Sequence, residues 1–177
     1  MPERPCATAA PIEAICPDDL PAVAALHAHC FDEPWQPELI GRIARAPGGF
    51  GLLWRNGCEP LGFVLGRSNG ARAEVLSLGV APSARQRGVA RALMNAAIDG
   101  VSRRGLRTLY LEVAEDNDAA LRLYRALGFA PVGRRPGYYA RPEARTVDAL
   151  TLRRAILPAA VGEVRPLRRA EGPRIVS

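Results

Sequence analysis

The sequence predicts one α/β domain, with six to seven strands and four helices, between two short terminal segments. The length of 177 residues is that of a single domain with room for a tail. Segments with strand-like and helix-like patterns alternate along the chain, as they do when helices cover a sheet. The Asn56-Gly57 pair, whose residues both tolerate a positive φ, predicts a tight hairpin within this pattern.

The first half of the chain predicts one strand, two helices and a three-stranded meander. The first helix begins at Pro17, because Asp18 and Asp19 can satisfy the free N–H groups of its first turn. Asn56-Gly57 and a second turn before Ala73 separate the strands of the meander. The predicted strands cover residues 12–15, 50–55, 61–67 and 73–80, and the predicted helices cover residues 17–31 and a short stretch around residues 39–43.

The second half predicts two helices and three strands. Gly88 opens a helix that runs to about residue 103, in which Val89, Leu93 and Ala97 fall at helical spacing. Asn117 caps the next helix, and Gly128 suits its C-terminal end because glycine accepts the left-handed conformation there. The predicted strands cover residues 108–113, 129–133 and 146–152, and a loop rich in Tyr, Arg and Pro over residues 134–145 joins the last two.

The termini differ from the domain between them. Residues 1–10 are predicted to be a flexible N-terminus, residues 11–157 the domain, and residues 158–177 a basic tail with little regular structure. The first residues lack the apolar core of a signal peptide, and no apolar run approaches the ~20 residues that a bilayer requires. We therefore expect a cytoplasmic protein with no membrane partner. Its cysteines are expected to be reduced thiols, at Cys6, Cys16, Cys30 and Cys58.

The net charge of +6 comes from arginine alone, since none of the 24 basic residues is lysine. These arginines are spread along the chain, which is typical of a solvated surface, and no motif of interleaved basic and aromatic residues accompanies them. We therefore expect no specific nucleic-acid binding. No metal site is expected either, because His27 and His29 point to different faces of a helix and no second ligand cluster completes a tetrahedral set.

An anion site is predicted where the strand that ends at Val80 leads into the helix after Gly88. The first turn of a helix has unpaired N–H groups and a positive dipole end, which together suit a pyrophosphate. Gly88 lets the backbone approach a phosphate closely, and the arginines of the turn add positive charge. The same residues also fit a tight turn with a close helix contact, so this pattern alone leaves both interpretations open.

The motifs of this region resemble a known family. The sequence Arg85-Gln86-Arg87-Gly88-Val89-Ala90 is similar to the Q/R-x-x-G-x-G/A signature of the GNAT acetyltransferases. Residues 109–129 resemble the second half of that family, with its L-x-V, N-x-x-A and L-Y-x-x-x-G-F elements. Residues 30–35 and 135–139 are similar to segments of the RimI-like ribosomal-protein alanine N-acetyltransferases. The resemblance covers residues 12–157.

The resemblance implies a GNAT-type mixed, mostly antiparallel sheet and acetyl-CoA as co-substrate. The acceptor is then an amine, above all the N-terminal α-amino group of a protein, with a ribosomal protein as a possible partner. The coenzyme is expected in the gap where two neighbouring strands part, with its pantetheine against Leu78, Gly79 and Val80 and a further contact from Asn117. Its pyrophosphate is expected at the backbone of Arg85, Gln86, Arg87, Gly88, Val89, Ala90 and Arg91.

Attack of a neutral amine on a thioester needs a proton acceptor and a proton donor. Glu112 is the predicted base, because it is the one carboxylate in the apolar run of residues 109–113 and partial desolvation makes a carboxylate a better proton acceptor. Glu74, on the preceding strand, is the rival candidate. The resemblance assigns the acid role to Tyr124, which without it is typical of a core aromatic residue at helical spacing.

Three aromatic residues are candidates for holding the acceptor. Tyr138 and Tyr139 lie in the predicted closing loop, where aromatic residues often contact ligands, although a packed loop anchor is the alternative. Trp35 either packs the domain or lines the acceptor cleft. Two other functions stay open: transfer to a small-molecule amine, and acyl-CoA binding without catalysis.

Overall fold

Seven β-strands and four α-helices alternate along the part of the chain that the computed structural model describes, residues 12–142 and 145–157. The strands are β1 (Ile12–Ala14), β2 (Phe50–Asn56), β3 (Glu59–Asn69), β4 (Arg72–Val80), β5 (Thr108–Ala114), β6 (Ala130–Ala140) and β7 (Thr146–Ala155). The helices are α1 (Leu20–Ala28), α2 (Pro37–Arg45), α3 (Val89–Arg103) and α4 (Asp118–Ala126). The predicted terminal segments, residues 1–10 and 158–177, lie outside the described residues, so the domain boundaries stay a prediction.

The strands form one sheet in the order β1-β2-β3-β4-β5-β7-β6. The β4–β5 pair is parallel, with α3 as its crossover, and the other neighbouring pairs are antiparallel. This arrangement confirms the predicted mixed, mostly antiparallel sheet. No helix within residues 12–142 and 145–157 combines the length and the apolar character that a membrane span would need.

β4 and β5 pair over only part of their length. Residues Arg72 to Val75 pair with Thr108 to Leu111, and pairing ends there. On the other side of β4, Leu65 pairs with Ser77 and Gly66 with Val75, so Leu76 is an extra residue, a β-bulge. A bulge bends its strand, and it lies where β4 leaves β5. We call the opening between residues 76–80 of β4 and residues 112–114 of β5 the fork.

Helices cover the two faces of the sheet unequally. α3 and α4 pack on one face over the main core, in which Leu93, Met94 and Leu109 are fully buried. α1 and α2 pack on the opposite face over β2 and β3. On the same face as α1 and α2, residues of β3, β4, β5 and β7 line a basin of about 490 Å³. Of the residues that line this basin, Glu112 lies at the fork.

The closing strands differ from the prediction. The predicted loop over residues 134–145 is wrong for most of its length, because β6 continues to Ala140. β6 lies at the edge of the sheet and pairs only with β7, with register shifts after Pro131 and after Arg135. An edge strand tolerates proline because its outer N–H groups need no partner strand. Tyr138 and Tyr139 therefore lie on a bulged edge strand.

The cysteines also differ in part from the expectation. Cys16 and Cys30 have reduced side chains. Cys58, in the exposed turn between β2 and β3, is disulfide-bonded, so the expectation of a reduced thiol is wrong there. A disulfide requires two Cα atoms about 4.4–6.8 Å apart, a proximity that sequence spacing does not show. Cys6 lies outside the described residues.

Candidate active site

The turn between β4 and α3 has the geometry of an anion site. Gly88 is the N-terminal cap residue of α3 with φ +86°, and Gln86 also has a positive φ of 60°. The first backbone bond of the helix runs from the Ala92 N–H to the Gly88 carbonyl oxygen, 3.0 Å. The N–H groups of Val89, Ala90 and Arg91 precede that bond and point out of the helix end. These donors, beside exposed arginines, suit a pyrophosphate.

Arg85 departs from the expected arrangement. Its Nε donates to the Val80 carbonyl oxygen at 3.2 Å, so part of its guanidinium faces back to β4. Arg87 and Arg91 remain exposed. The positive charge available to a bound anion therefore comes chiefly from these two side chains and from the helix end.

Replacing Gly88 with alanine is expected to weaken acetyl-CoA binding by roughly 10-fold, because alanine is strained at this φ and shifts the N–H groups of the helix end. Gly105 is a matched control, since its φ is +73° and a Cβ there also meets nothing within 4 Å. Both variants should lose about 1–2 kcal/mol of stability. Calorimetry should show weaker coenzyme binding for Gly88→Ala alone. Equal coenzyme affinity in the two variants would show that this turn does not bind the coenzyme.

The residues predicted to face the pantetheine lie on the bent end of β4. Leu78, Gly79 and Val80 pair with β3 on one side and lie beyond the end of the β5 ladder on the other. A Cβ on Gly79 would lie 2.5 Å from Cε1 of Phe63 and 3.2 Å from Sγ of Cys30, so glycine is required here by close packing. The Cys30 thiol donates to the Val80 carbonyl oxygen at 3.5 Å. The arm of the coenzyme would thus meet backbone groups on the β5 side.

Glu112 is the first residue of β5 beyond the β4 pairing, and it pairs with Thr151 of β7. Its carboxylate oxygens accept bonds from Nη1 of Arg135 at 3.2 and 3.1 Å, and its side chain is 26% exposed. The strand sequence predicts apolar surroundings for Glu112, but in the structure the Arg135 guanidinium contacts its carboxylate.

Glu74, the other candidate base, lies on the part of β4 that still pairs with β5. It pairs with Tyr110, two residues before Glu112 on the same face of β5. Its carboxylate contacts Nη2 of Arg67 at 3.1 Å and is more exposed than that of Glu112. Both carboxylates line the basin, but Glu112 is the one at the fork.

Tyr124 lies on the buried face of α4 and is 7% exposed. Its ring meets Phe129 edge-on, with centroids 5.8 Å apart. Burial, with a smaller contribution from Tyr139, raises the pKa of Tyr124 to about 12. The hydroxyl therefore keeps its proton at physiological pH, as a donor to a departing thiolate must.

Tyr139 connects the two predicted catalytic residues. Burial and, to a smaller extent, the charge of Glu112 raise the pKa of Tyr139. Tyr139 in turn contributes to the raised pKa of Tyr124. Tyr138 is 48% exposed, meets Tyr139 edge-on at 5.0 Å and lies under the Arg135 guanidinium at 4.1 Å. The structure thus groups Glu112, Tyr124 and the two tyrosines of β6 beside the fork.

Two further predicted residues have structural contacts. The Asn117 side chain accepts a bond from the Ala120 N–H at 3.1 Å, which confirms its role as the cap of α4. Trp35 is half-buried against the apolar cluster below α1 and α2, which favours the packing interpretation. Contacts of Asn117 with pantetheine and of Trp35 with an acceptor stay predictions.

The sequence motifs assigned no individual role to three residues whose contacts the structure shows. Arg135 reaches Glu112, and Arg141 holds Asp116 through two bonds of 2.8 and 3.1 Å. His27, considered above only as a metal ligand, is 2% exposed inside α1. Its position four residues after Val23 on an apolar helix face was the available signal for this burial.

Acidification is expected to destabilise the fold through His27. Burial lowers the pKa of His27 below its ordinary value, so the folded state favours the neutral ring. Its contribution to stability is complete above the ordinary pKa of ~6.5 and is lost as the pH falls through the lowered value. Between pH 7 and pH 5, the melting temperature should fall further for the wild type than for His27→Gln. Equal losses would contradict the assignment of a neutral, buried His27.

Comparisons with known proteins agree with this geometry. The chain matches the family described as Acetyltransferase (GNAT) family over residues 20–129. N-alpha-acetyltransferase RimI of Mycobacterium tuberculosis is 38% identical over 149 residues, which cover 81% of this chain and 90% of that protein. The solved ribosomal-protein-S18-alanine N-acetyltransferase from Escherichia coli has a TM-score of 0.77 and 26% identity, covering 85% of this chain and 96% of that one.

A further solved structure has a similar fold. Arabidopsis thaliana NAA60 in complex with acetyl-CoA has a TM-score of 0.70 at 23% identity, covering 82% of this chain and 97% of that one. These matches confirm the family resemblance and the acetyl-CoA co-substrate that the motifs predict. The chain belongs to the GNAT acetyltransferase family and is an acetyl-CoA-dependent N-acetyltransferase.

Proposed function

We propose that this enzyme acetylates the N-terminal α-amino group of a protein, with a ribosomal protein as the first candidate, and that it acts in the cytoplasm, where such proteins are made. Glu112 is the proposed base and Tyr124 the proposed acid. The observation that carries the proposal is that β4 parts from β5 directly before Glu112, whose carboxylate contacts Arg135 of β6, the strand that also carries Tyr139. The two similar bacterial proteins named above are N-terminal or ribosomal-protein acetyltransferases by name.

The proposed chemistry is a direct transfer. The thioester of acetyl-CoA supplies a carbonyl carbon to which the lone pair of the neutral amine adds. A new C–N bond forms and the C–S bond breaks. The Glu112 carboxylate takes the proton that the amine nitrogen loses, directly or through a water molecule. Tyr124 gives its proton to the departing sulfur, whose thiol form has a pKa near ~8.5. The proton on Glu112 then returns to the Tyr124 phenolate through water, which restores both side chains, so the net change moves one proton from nitrogen to sulfur.

The walls of the cleft support a peptide acceptor. One wall is the segment of residues 31–35, which we call the acceptor wall. The other is formed by Tyr138, Tyr139 and Arg141 at the end of β6. The pKa of Arg141 is raised chiefly by its hydrogen bond to Asp116 and, among smaller effects, by the charge of Asp32 in the acceptor wall, so Asp32 lies within electrostatic range of Arg141. An extended peptide entering between them would place its terminal amine near Glu112.

The test is acetylation of a panel of peptides that differ in their first residue, beside small amines, followed by mass spectrometry. The proposal predicts acetylation of peptide α-amines, with no product from peptides whose N-terminus is already blocked. A strain that lacks the gene should lose N-terminal acetylation of at least one ribosomal protein. Activity on small amines alone would contradict the proposal and favour a small-molecule acetyltransferase.

A further inference from the structure

His27 uses both of its ring nitrogens inside the protein. Nδ1 accepts a hydrogen bond from the backbone N–H of Trp35 at 3.3 Å. Because a backbone N–H can only donate, Nδ1 carries no proton, and the neutral ring holds its proton on Nε2. Nε2 lies 3.3 Å from Oγ of Ser77 and donates to it. His27 therefore joins α1 to the start of α2 and to β4 through two directed bonds.

Three aromatic rings enclose the same imidazole. The ring centroids of Phe31, Trp35 and Phe63 lie 4.4, 5.0 and 5.6 Å from that of His27. Two of these rings belong to the acceptor wall, and Phe63 belongs to β3. With 2% of its surface exposed, the imidazole has little freedom to turn. The position of the acceptor wall thus depends on one buried side chain.

The two hydrogen bonds of His27 end at Ser77 and Trp35, which lie in segments that border the proposed acceptor site. Ser77 follows the bulge at Leu76, on the part of β4 that has left β5 and continues to Val80, the last of the residues predicted to face the pantetheine. Trp35 ends the acceptor wall, whose Asp32 lies within electrostatic range of Arg141 at the end of β6. β4 has no β5 partner at Ser77, so α1 and β3 fix its position there. His27 is thus a polar link between that strand and the acceptor wall, beside the bond of Cys30 to Val80.

We propose that His27 is a positioning residue for the acceptor, holding the acceptor wall against β4 and so setting the width of the cleft between this wall and the end of β6. The proposal rests on the proposed function, because it concerns the site that takes the peptide. His27 contacts none of the reacting groups. Its loss should therefore weaken peptide binding more than it slows the chemical step or weakens acetyl-CoA binding.

The test compares His27→Gln with His27→Asn. A glutamine amide can replace Nε2 as the donor to Ser77 but leaves the Trp35 N–H without an acceptor, whereas an asparagine oxygen lies near the position of Nδ1. We expect His27→Gln to raise the KM for a peptide acceptor by roughly 10-fold and His27→Asn by less than about 3-fold. The Kd for acetyl-CoA, measured by calorimetry, should stay within about twofold of the wild-type value in both.

His29→Gln is the matched control. His29 lies two residues further on and is exposed, and among the described residues its side chain bonds the Ala25 carbonyl of its own helix, at 2.7 Å. Its variant should keep the wild-type KM. If the His27 variants do not fold, Ser77→Ala takes their place, and it should raise the peptide KM without changing acetyl-CoA affinity.

The outcomes separate the two proposals. A wild-type enzyme that acetylates no peptide α-amine rejects the proposed function and this role of His27 with it. A wild-type enzyme that is active on peptides, with a His27→Gln variant whose peptide KM equals that of His29→Gln, overturns the role of His27 alone. A proportional loss of peptide and acetyl-CoA affinity would show a merely structural histidine, and it also overturns the proposal.

Discussion

Replacing Tyr124 with phenylalanine is expected to lower kcat by roughly 10²-fold or more, with little change in acetyl-CoA affinity. The change removes one oxygen from a side chain that is otherwise held by packing against Phe129, so the fold should persist. Without the phenol, the sulfur leaves as a thiolate with no adjacent proton donor. Release of the CoA thiol, followed under saturating substrates, measures kcat directly.

Tyr110→Phe is the matched control for this variant. Tyr110 lies on β5 near the Arg72 guanidinium, outside the proposed acid–base pair, and its variant should stay within about threefold of wild type. Because the pKa of Tyr124 is about 12, its acid form is lost only near that pH. The wild-type kcat should therefore show no loss of this acid between pH 7 and pH 10. Equal rates for Tyr124→Phe and Tyr110→Phe would exclude Tyr124 as the acid.

Replacing Glu112 with glutamine is expected to lower kcat/KM by roughly 10²-fold at pH 7, because the amide cannot accept the proton of the amine. A peptide α-amine has a pKa of ~7.7–8.0, so it deprotonates without help at higher pH. The deficit of the variant should therefore shrink as the pH rises from 7 to 9. The pH profile of kcat/KM for wild type and variant measures this difference.

Glu74→Gln distinguishes the two candidate bases. Both glutamates line the same basin and both pair with an arginine, so the substitutions are chemically matched. We expect Glu74→Gln to stay within about threefold of wild type. A larger loss in Glu74→Gln than in Glu112→Gln would transfer the role of base to Glu74. A chain whose peptide acetylation is unaffected by loss of Glu112 and of Tyr124 would need a different mechanism.

Local signals predicted the elements that build the coenzyme side of the site. Gly88 marks the start of α3 because its positive φ suits glycine, and Asn117 marks the start of α4 because its side chain caps the helix. Each of these features depends on residues within one turn of each other. Proline and glycine normally interrupt strands, so the local sequence indicates a loop at Tyr138 and Tyr139. Only the strand order shows that β6 is an edge strand, where proline and glycine are tolerated.

The contacts of the acceptor side depend on the register of distant segments. Arg135 reaches Glu112 across 23 positions of sequence, and only the bulged β6–β7 pairing makes that contact possible. His27 and Ser77 are 50 positions apart and meet only because α1 packs beside the bent end of β4. Periodicity identifies the faces of α1 and β4 but not their relative position. The motifs therefore indicated the proposed base and acid, whereas the side chains that contact them, such as Arg135, depend on the tertiary structure.

A crystal structure of the wild-type protein with a bisubstrate analogue, in which an acetyl bridge joins the CoA sulfur to the α-amine of a peptide, tests most directly whether the fork is the reaction site. We predict the sulfur within about 3.5 Å of the Tyr124 hydroxyl, and the Glu112 carboxylate within hydrogen-bond reach of the amine nitrogen, directly or through one water. The peptide should lie between the acceptor wall and Tyr139. An analogue bound outside the fork, or one whose sulfur lies out of contact with Tyr124, would contradict the proposed mechanism.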